Sequence, residues 1–156
     1  MRTIQVKKGE ILQRNGDLNS KVYIVESGLL RSYSIDQKGK EHIYMFAPEG
    51  WIVADATDEK LPSELFIDAL EDSVVQVMDK DMPVPIVDHK PLLKRIAVLQ
   101  KRILMLMSSS AIERYQHFVE TYPNIIQRVP QKMVASYLGI TPEALSKVKG
   151  DQSRRK

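Results

Sequence analysis

The residues whose types and spacing best suit chemistry lie in the segment Val129–Gly150, VPQKMVASYLGITPEALSKVKG. Glu143 can accept a hydrogen bond from an amino group such as that of cytosine, and Lys147 can donate to guanine acceptors or settle on a phosphate. Thr141, Pro142, Ser146 and Gly150 are expected on the same outer face. Gln131 and Lys132 begin the preceding helical stretch, where side chains and the N–H groups of a helix start together suit backbone phosphates. Lys149, Arg154, Arg155 and Lys156 add positive charge, which strengthens binding to a polyanion without reading its sequence. This is the chemistry of reading a nucleic-acid duplex, with no bond made or broken.

Such residues act only if the helix carrying them is held with one side outward, and the remaining positions of the segment meet that need. Pro130 suits the first position of a helix because its missing N–H has no partner to lose there. Val134, Ala135 and Leu138 fall on one inner face, with small Ala135 where two helices cross. Gly139 can take a positive φ and reverse the chain. Ile140 is expected to plug the corner, Thr141 to cap a second helix that Pro142 opens, and Leu145 and Val148 to turn inward. The pattern is that of a helix-turn-helix.

Charge follows the same division. Up to His89 there are ten Lys and Arg against sixteen Asp and Glu, whereas from Lys90 onward there are thirteen against four. The basic end fits a polyanionic partner. Cysteine is absent, which excludes disulfides, thiolate zinc sites and cysteine-held iron–sulfur clusters. No run of about eighteen apolar residues occurs and Met1–Glu10 is charged, so a cytoplasmic protein without a membrane span is expected.

From Ile4 to about Asp81 the chain reads as short strands between turn signals at Lys8-Gly9, Asn15-Gly16, Ser27-Gly28, Lys38-Gly39, Pro48-Glu49-Gly50 and Leu61-Pro62. The apolar runs Val22–Val25, Leu29–Ile35, His42–Phe46, Trp51–Ala54, Leu65–Leu70 and Val74–Met78 fill the intervals and predict an all-β sandwich or barrel. A short helical link is expected over Asp81–Val87. After Pro91 the period becomes helical, with Leu92, Ile96, Leu99, Ile103 and Leu106 forming an a/d seam. That seam either covers the β domain or pairs with its twin in a homodimer, and the second reading is preferred. A further helix is expected from Ser109 or Ser110 to Thr121, with Ser110 and Glu113 in capping-box spacing and Pro123 beyond.

With these segments in view, the chain resembles the CRP/FNR family of bacterial regulators over nearly its whole length. The carriers are Val129–Val148, the Gly16-Asp17 turn, Tyr23, Gly28-Leu29-Leu30-Arg31 and Ala69-Leu70-Glu71-Asp72-Ser73. The resemblance implies an α+β fold in three parts. A double-stranded β-helix (jelly-roll-like) sensor domain of the cyclic-nucleotide-binding type would span residues 1–88, a dimerisation helix 89–108, and a winged helix-turn-helix 109–156. It also implies a homodimer on double-stranded DNA, with RNA polymerase as a further partner. Many relatives carry a helix before the first strand, whereas this chain begins almost directly at it.

Family members that bind cyclic AMP hold the ribose with a Gly-Glu pair and the cyclic phosphate with Arg-Ser or Arg-Thr. Counting back from Ala69, those positions fall near Ile52 and Val53 and on Ser63 and Glu64. A carboxylate where a phosphate should sit repels it by roughly 1 kcal/mol or more even at fairly high effective dielectric. Ordinary cyclic AMP binding is therefore not expected, and the pocket is either vestigial or suited to another effector. The charged segment Asp55–Leu61 suggests a loop in place of the usual phosphate-binding helix.

Two other classes compete. A cupin-like small-molecule-binding protein or metal-dependent enzyme would share the strand spacing, but His42, His89 and His117 are scattered, with no His-x-His pair and a nearby Glu to complete a ligand set. Neither a Gly-x-Ser-x-Gly elbow nor a phosphate-cradling glycine loop occurs. A protein-interaction module could use the basic helices on an acidic partner, without duplex preference.

Overall fold

The computed structural model describes residues 1–80 and 90–153, so the link expected over Asp81–Val87, His89 and Arg154–Lys156 lie outside the described residues. The chain forms two compact units, Met1–Pro83 and Val84–Lys156.

The first unit contains β1 (Arg2–Val6), β2 (Ile11–Gln13), β3 (Lys21–Ser27), β4 (Leu30–Ile35), β5 (Glu41–Ala47), β6 (Ile52–Ala54), β7 (Phe66–Ala69) and β8 (Ser73–Asp79). They form two four-stranded sheets, ordered β1-β8-β3-β6 and β2-β7-β4-β5. Every pairing is antiparallel. This is the two-sheet, eight-stranded arrangement of a jelly-roll-like domain. Each of the apolar runs in the sequence became a strand, β3 to β8. The two strands without such a run, β1 and β2, lie at sheet edges and bury few side chains, so their patterning is weak.

One core cluster draws on both sheets. Val6, Tyr23, Val25, Val53, Val75 and Val77 come from one, and Leu30, Met45, Ala47, Ile67 and Ala69 from the other. Alternation along β8 explains the choice of side chain: Val75 and Val77 face in while Gln76 and Met78 are only half-buried. Burying each large aliphatic chain here favours folding by about 1.5–3 kcal/mol. Tyr23 also stitches the sheets, since its hydroxyl donates to the Leu12 carbonyl at 3.0 Å.

Gly28, between β3 and β4, has φ +91°, and a Cβ there would stand 2.3 Å from Ser73 Oγ and 2.7 Å from the Asp72 carbonyl. Only glycine fits this crossing. The next strand carries Arg31, whose Nε and Nη2 donate to the two Asp68 oxygens at 2.8 and 3.0 Å while Nη1 reaches Glu41 at 2.6 Å. Its guanidinium lies 4.0 Å from the centre of the Tyr33 ring. Burial alone would lower the guanidinium's affinity for its proton, but the Asp68 and Glu41 hydrogen bonds outweigh that and hold its pKa above the ordinary value. Arg31 is thus a structural cation.

The second unit contains α1 (Lys90–Ser108), α2 (Ala111–Thr121), a 3-10 turn at Ile125–Gln127, α3 (Gln131–Leu138) and α4 (Pro142–Ser153). The start of α2 carries the anticipated capping box: Ser110 Oγ accepts from the Glu113 N–H at 3.4 Å, and Glu113 Oε2 accepts from the Ser110 N–H at 2.7 Å. Phe118, Tyr122 and Tyr137 pack ring against ring at 5.4–5.5 Å, joining α2 and its end to α3. The described residues of this unit include no strand and so hold no part of the expected wing. The connection from α2 to α3 takes the 3-10 turn, and α4 continues to Ser153.

Candidate nucleic-acid interface

Two short helices and the corner between them build the candidate surface. Pro130 stands just ahead of α3 as its cap, one position earlier than expected, with φ −59° and ψ 143°; its carbonyl accepts from the Met133 N–H at 2.9 Å. At the other end Gly139 has φ 64° and ψ 33°. The Gly139 N–H donates to the Ser136 carbonyl at 3.2 Å and the Ile140 N–H to the Ala135 carbonyl at 3.1 Å. These are the paired bonds that close a helix through a left-handed residue. Ile140 is half-buried in the corner.

The inner set lies where the spacing puts it: Val134, Ala135, Leu138, Leu145 and Val148 are all buried. Tyr137, which the periodicity left out, is buried with them among the aromatic rings. Thr141 Oγ1 caps α4 by accepting from the Ala144 N–H at 3.2 Å, and Pro142 follows as the first helical residue.

With one side so anchored, Thr141, Pro142, Glu143, Ser146, Lys147 and Gly150 are exposed together, while Lys149 is half-buried. They are not equally available. Thr141 is engaged in capping, and the Ser146 hydroxyl donates back to the Pro142 carbonyl at 3.0 Å, which leaves its acceptor lone pairs outward. Glu143's own N–H and then the Thr141 hydroxyl hold its carboxyl below the usual Glu range, so it is an anion at the positive end of α4. Gln131 and Lys132 are exposed in the first turn of α3.

Two arginines that the sequence does not single out, Arg102 and Arg114, close the unit. Arg114 Nη1 donates to the Leu138 carbonyl at 3.1 Å, Nη2 to the Leu106 carbonyl at 3.1 Å and Nε to the Ser109 carbonyl at 3.0 Å. Arg102 Nη2 donates to the Tyr137 carbonyl at 3.3 Å, its guanidinium 4.0 Å from the centre of the Tyr137 ring. No sequence signal marks these pairings, because their partners are carbonyls, which every residue carries.

On α1 the seam residues Ile96 and Ile103 are 50% and 59% exposed, Leu106 is 37% exposed and Leu99 is half-buried. The Leu92 side chain lies outside the described residues. Leu93, Leu104 and Met107 are exposed as well, whereas Met105 is buried. Ile96, Leu99, Gln100, Ile103 and Leu104 line a shallow, almost wholly apolar hollow.

In the β unit, the effector-type positions do not form an anion site. Ile52 is exposed on β6, and Val53 is fully buried in the core. Ser63 is buried with its hydroxyl donating to the Arg14 carbonyl at 2.6 Å. Glu64 is exposed, and its N–H is given to Asp55 at 2.8 Å. Asp55 gathers the local donors: the N–H groups of Thr57, Glu64 and Leu65 and the Thr57 hydroxyl all reach its carboxylate at 2.8–2.9 Å. Burial pushes the Asp55 carboxyl up, but those donors prevail and hold it below the ordinary Asp value. Residues 55–65 form a loop with no helix. With an acid at position 64 and the Thr57, Glu64 and Leu65 N–H groups given to Asp55, these residues do not fit the phosphate of a cyclic nucleotide.

His42 Nε2 pairs with Asp36 at 2.9 Å on the β unit, and His117 sits on α2. No group of His, Asp and Glu among the described residues could hold a metal ion. No helix among them is long and apolar enough to cross a membrane.

Comparison with known proteins agrees with this anatomy. Residues 3–82 match the cyclic nucleotide-binding domain family. The chain is 25% identical over 168 residues to the anaerobic regulatory protein of Haemophilus influenzae, covering 93% of this chain and 64% of that protein. It is 29% identical over 170 residues to the fumarate and nitrate reduction regulatory protein of Vibrio cholerae, covering 93% and 66%. Thus it spans about two thirds of the length of these relatives. Among solved structures, FixK2 from Bradyrhizobium japonicum superposes with a TM-score of 0.78 at 19% identity, covering 99% of this chain and 85% of that one. TTHA1359, a CRP/FNR-family transcriptional regulator from Thermus thermophilus, gives 0.78 at 18% identity, covering 99% and 87%. The chain belongs to the cyclic nucleotide-binding domain family, as a member of the CRP/FNR family of transcription regulators.

Proposed function

We propose that this chain is a sequence-specific DNA-binding regulator that acts without catalysis, reading a (pseudo)palindromic operator as a homodimer. The observation that carries the reading is α4, whose Leu145 and Val148 are buried while Glu143, Ser146 and Lys147 share its exposed side, with the left-handed Gly139 setting its angle to α3. In this reading α4 enters the major groove, Glu143 accepts from a cytosine amino group and Lys147 donates to guanine or phosphate. Gln131 and Lys132 fix register on the backbone with the first N–H groups of α3, and Lys149 adds salt-dependent affinity. Two copies pair along the exposed Ile96 and Ile103 stripe of α1, which has the character of an unpartnered seam. RNA polymerase is the downstream partner that the family relationship suggests.

The effector question is separate. Asp55 holds its loop without a cyclic nucleotide, which supports a pocket that is either vestigial or suited to another effector.

Selection of bound fragments from randomised duplexes tests the proposal. A recovered pair of half-sites about one helical turn apart, bound with steep salt dependence, is the expected result. Binding without preference over random competitor would rule it out, and would favour an interaction module for acidic partners.

A further inference from the structure

The two carbonyls that end α3 have no intrahelical donor, and the same holds for the last carbonyls of α1. Arginines satisfy both sets. Arg102 takes the Tyr137 carbonyl and Arg114 takes the Leu138 carbonyl, so the last two carbonyls before Gly139 are gripped by guanidinium groups. Arg114 at the same time holds Leu106 and Ser109 at the end of α1. Its planar fork therefore joins three chain segments, two of them negative helix ends where a cation is favoured. The corner itself is close by: a Cβ on Gly139 would lie 3.4 Å from Leu106 Cδ2 and 3.5 Å from Arg114 Nη1. Leu106 thus offers its carbonyl to Arg114 and its side chain to the corner from which α4 departs.

We propose that Arg114, assisted by Arg102, is a positioning residue that locks α1 to the α3–α4 corner and so sets the separation and angle of the two reading helices in the dimer. The inference rests on the reading of α4 as the helix that meets DNA. Apolar packing lets helices slide and rotate by small amounts, whereas a fork bonded to three fixed carbonyls tolerates one arrangement. A lysine would keep the charge but lose the fork. Loss of the lock leaves each α4 able to read a half-site and removes the fixed spacing between the two.

The chain has no cysteine, so a label pair can be introduced cleanly at exposed positions of α1 and α4, as K101C and G150C. Nitroxide distance distributions are measured in the full chain, with labelled subunits diluted into unlabelled ones so that only pairs within a subunit contribute. One narrow distance is expected for the parent, a broadened or displaced one for R114Q, and an intermediate one for R114K. In parallel, affinity is compared between an operator at its selected spacing and one with two base pairs inserted between the half-sites. R114Q should lose about tenfold of that discrimination, a change of about 1.4 kcal/mol, while a single half-site is bound as before. Should R114Q lose its helical circular dichroism, R102Q, which frees only the Tyr137 side, is measured in its place. An unchanged narrow distance in the folded variant overturns the proposal, as does full retention of spacing discrimination. If the parent chain prefers no duplex, the DNA reading fails and the distance measurement still judges the lock.

Discussion

The Asp55 carboxylate and the main-chain N–H of Leu65 stand 2.8 Å apart across the loop between β6 and β7. The N–H groups of Glu64 and Thr57 join them, so a side chain of the protein occupies donors that could otherwise face an anion. The loop is organised around an internal charge, and this gives the β unit a stability tied to one carboxylate.

Asp55→Asn should destabilise the β unit by about 1–3 kcal/mol at neutral pH, because the amide places donors against donors. The folded Asp55 pKa lies below the ordinary 3.8, so its contribution is present above that value and is lost as pH falls through the folded pKa. Denaturant titrations at neutral pH and at progressively more acid pH should show the gap between parent and variant closing below 3.8. A gap independent of pH would refute the linkage.

Gly28→Ala should be the most damaging small substitution in the roll. The new methyl meets Ser73 Oγ at 2.3 Å and the residue keeps a φ of +91°, so a loss of about 3 kcal/mol or more is expected. Thermal unfolding checks this, and Gly39→Ala, with nothing within 4 Å of its Cβ, is the control for positive φ alone.

Glu143→Ala should relax preference at one base pair and cost about 1–3 kcal/mol on the selected site, whereas Lys132→Ala should weaken all duplexes alike and lower the salt slope by about one. Binding isotherms on the selected and scrambled sites at several salt concentrations separate the two. Equal losses on every sequence would remove Glu143 from base reading.

Ile103→Glu should shift the chain toward monomer without loss of helix, since Ile103 is 59% exposed and its new carboxylate would be buried beside its twin on pairing. Sedimentation at several concentrations reads the outcome. A dimer as tight as the parent's would locate the contact elsewhere.

His117 should titrate below 6.5, because burial and then the Lys101 charge disfavour its protonation, with Arg102 adding to them. Its depressed pKa means that stability is full above about 6.5 and declines as pH falls toward the folded value. A proton-linked chemical shift gives the pKa directly, and His117→Gln should flatten the helical unit's stability over that interval.

The sequence by itself determined the features governed by near neighbours. Apolar runs between turn signals predicted β3 to β8, Gly139 predicted a left-handed corner, Ser110 and Glu113 predicted a capping box, and the spacing of Val134, Ala135, Leu138, Leu145 and Val148 predicted a buried side. These follow from φ preference, capping and periodicity, which act over a few residues. Only the tertiary structure decided that the outward Ser146 is bonded back to Pro142, and that Asp55 takes up the N–H groups of Thr57, Glu64 and Leu65 in the loop between β6 and β7. It alone joined Arg114 to Leu138, 24 positions away, and Arg31 to Asp68, 37 away. A guanidinium donates to any carbonyl or carboxylate that packing brings within reach, so its partner is written in the arrangement of helices and sheets and in no local pattern of residues.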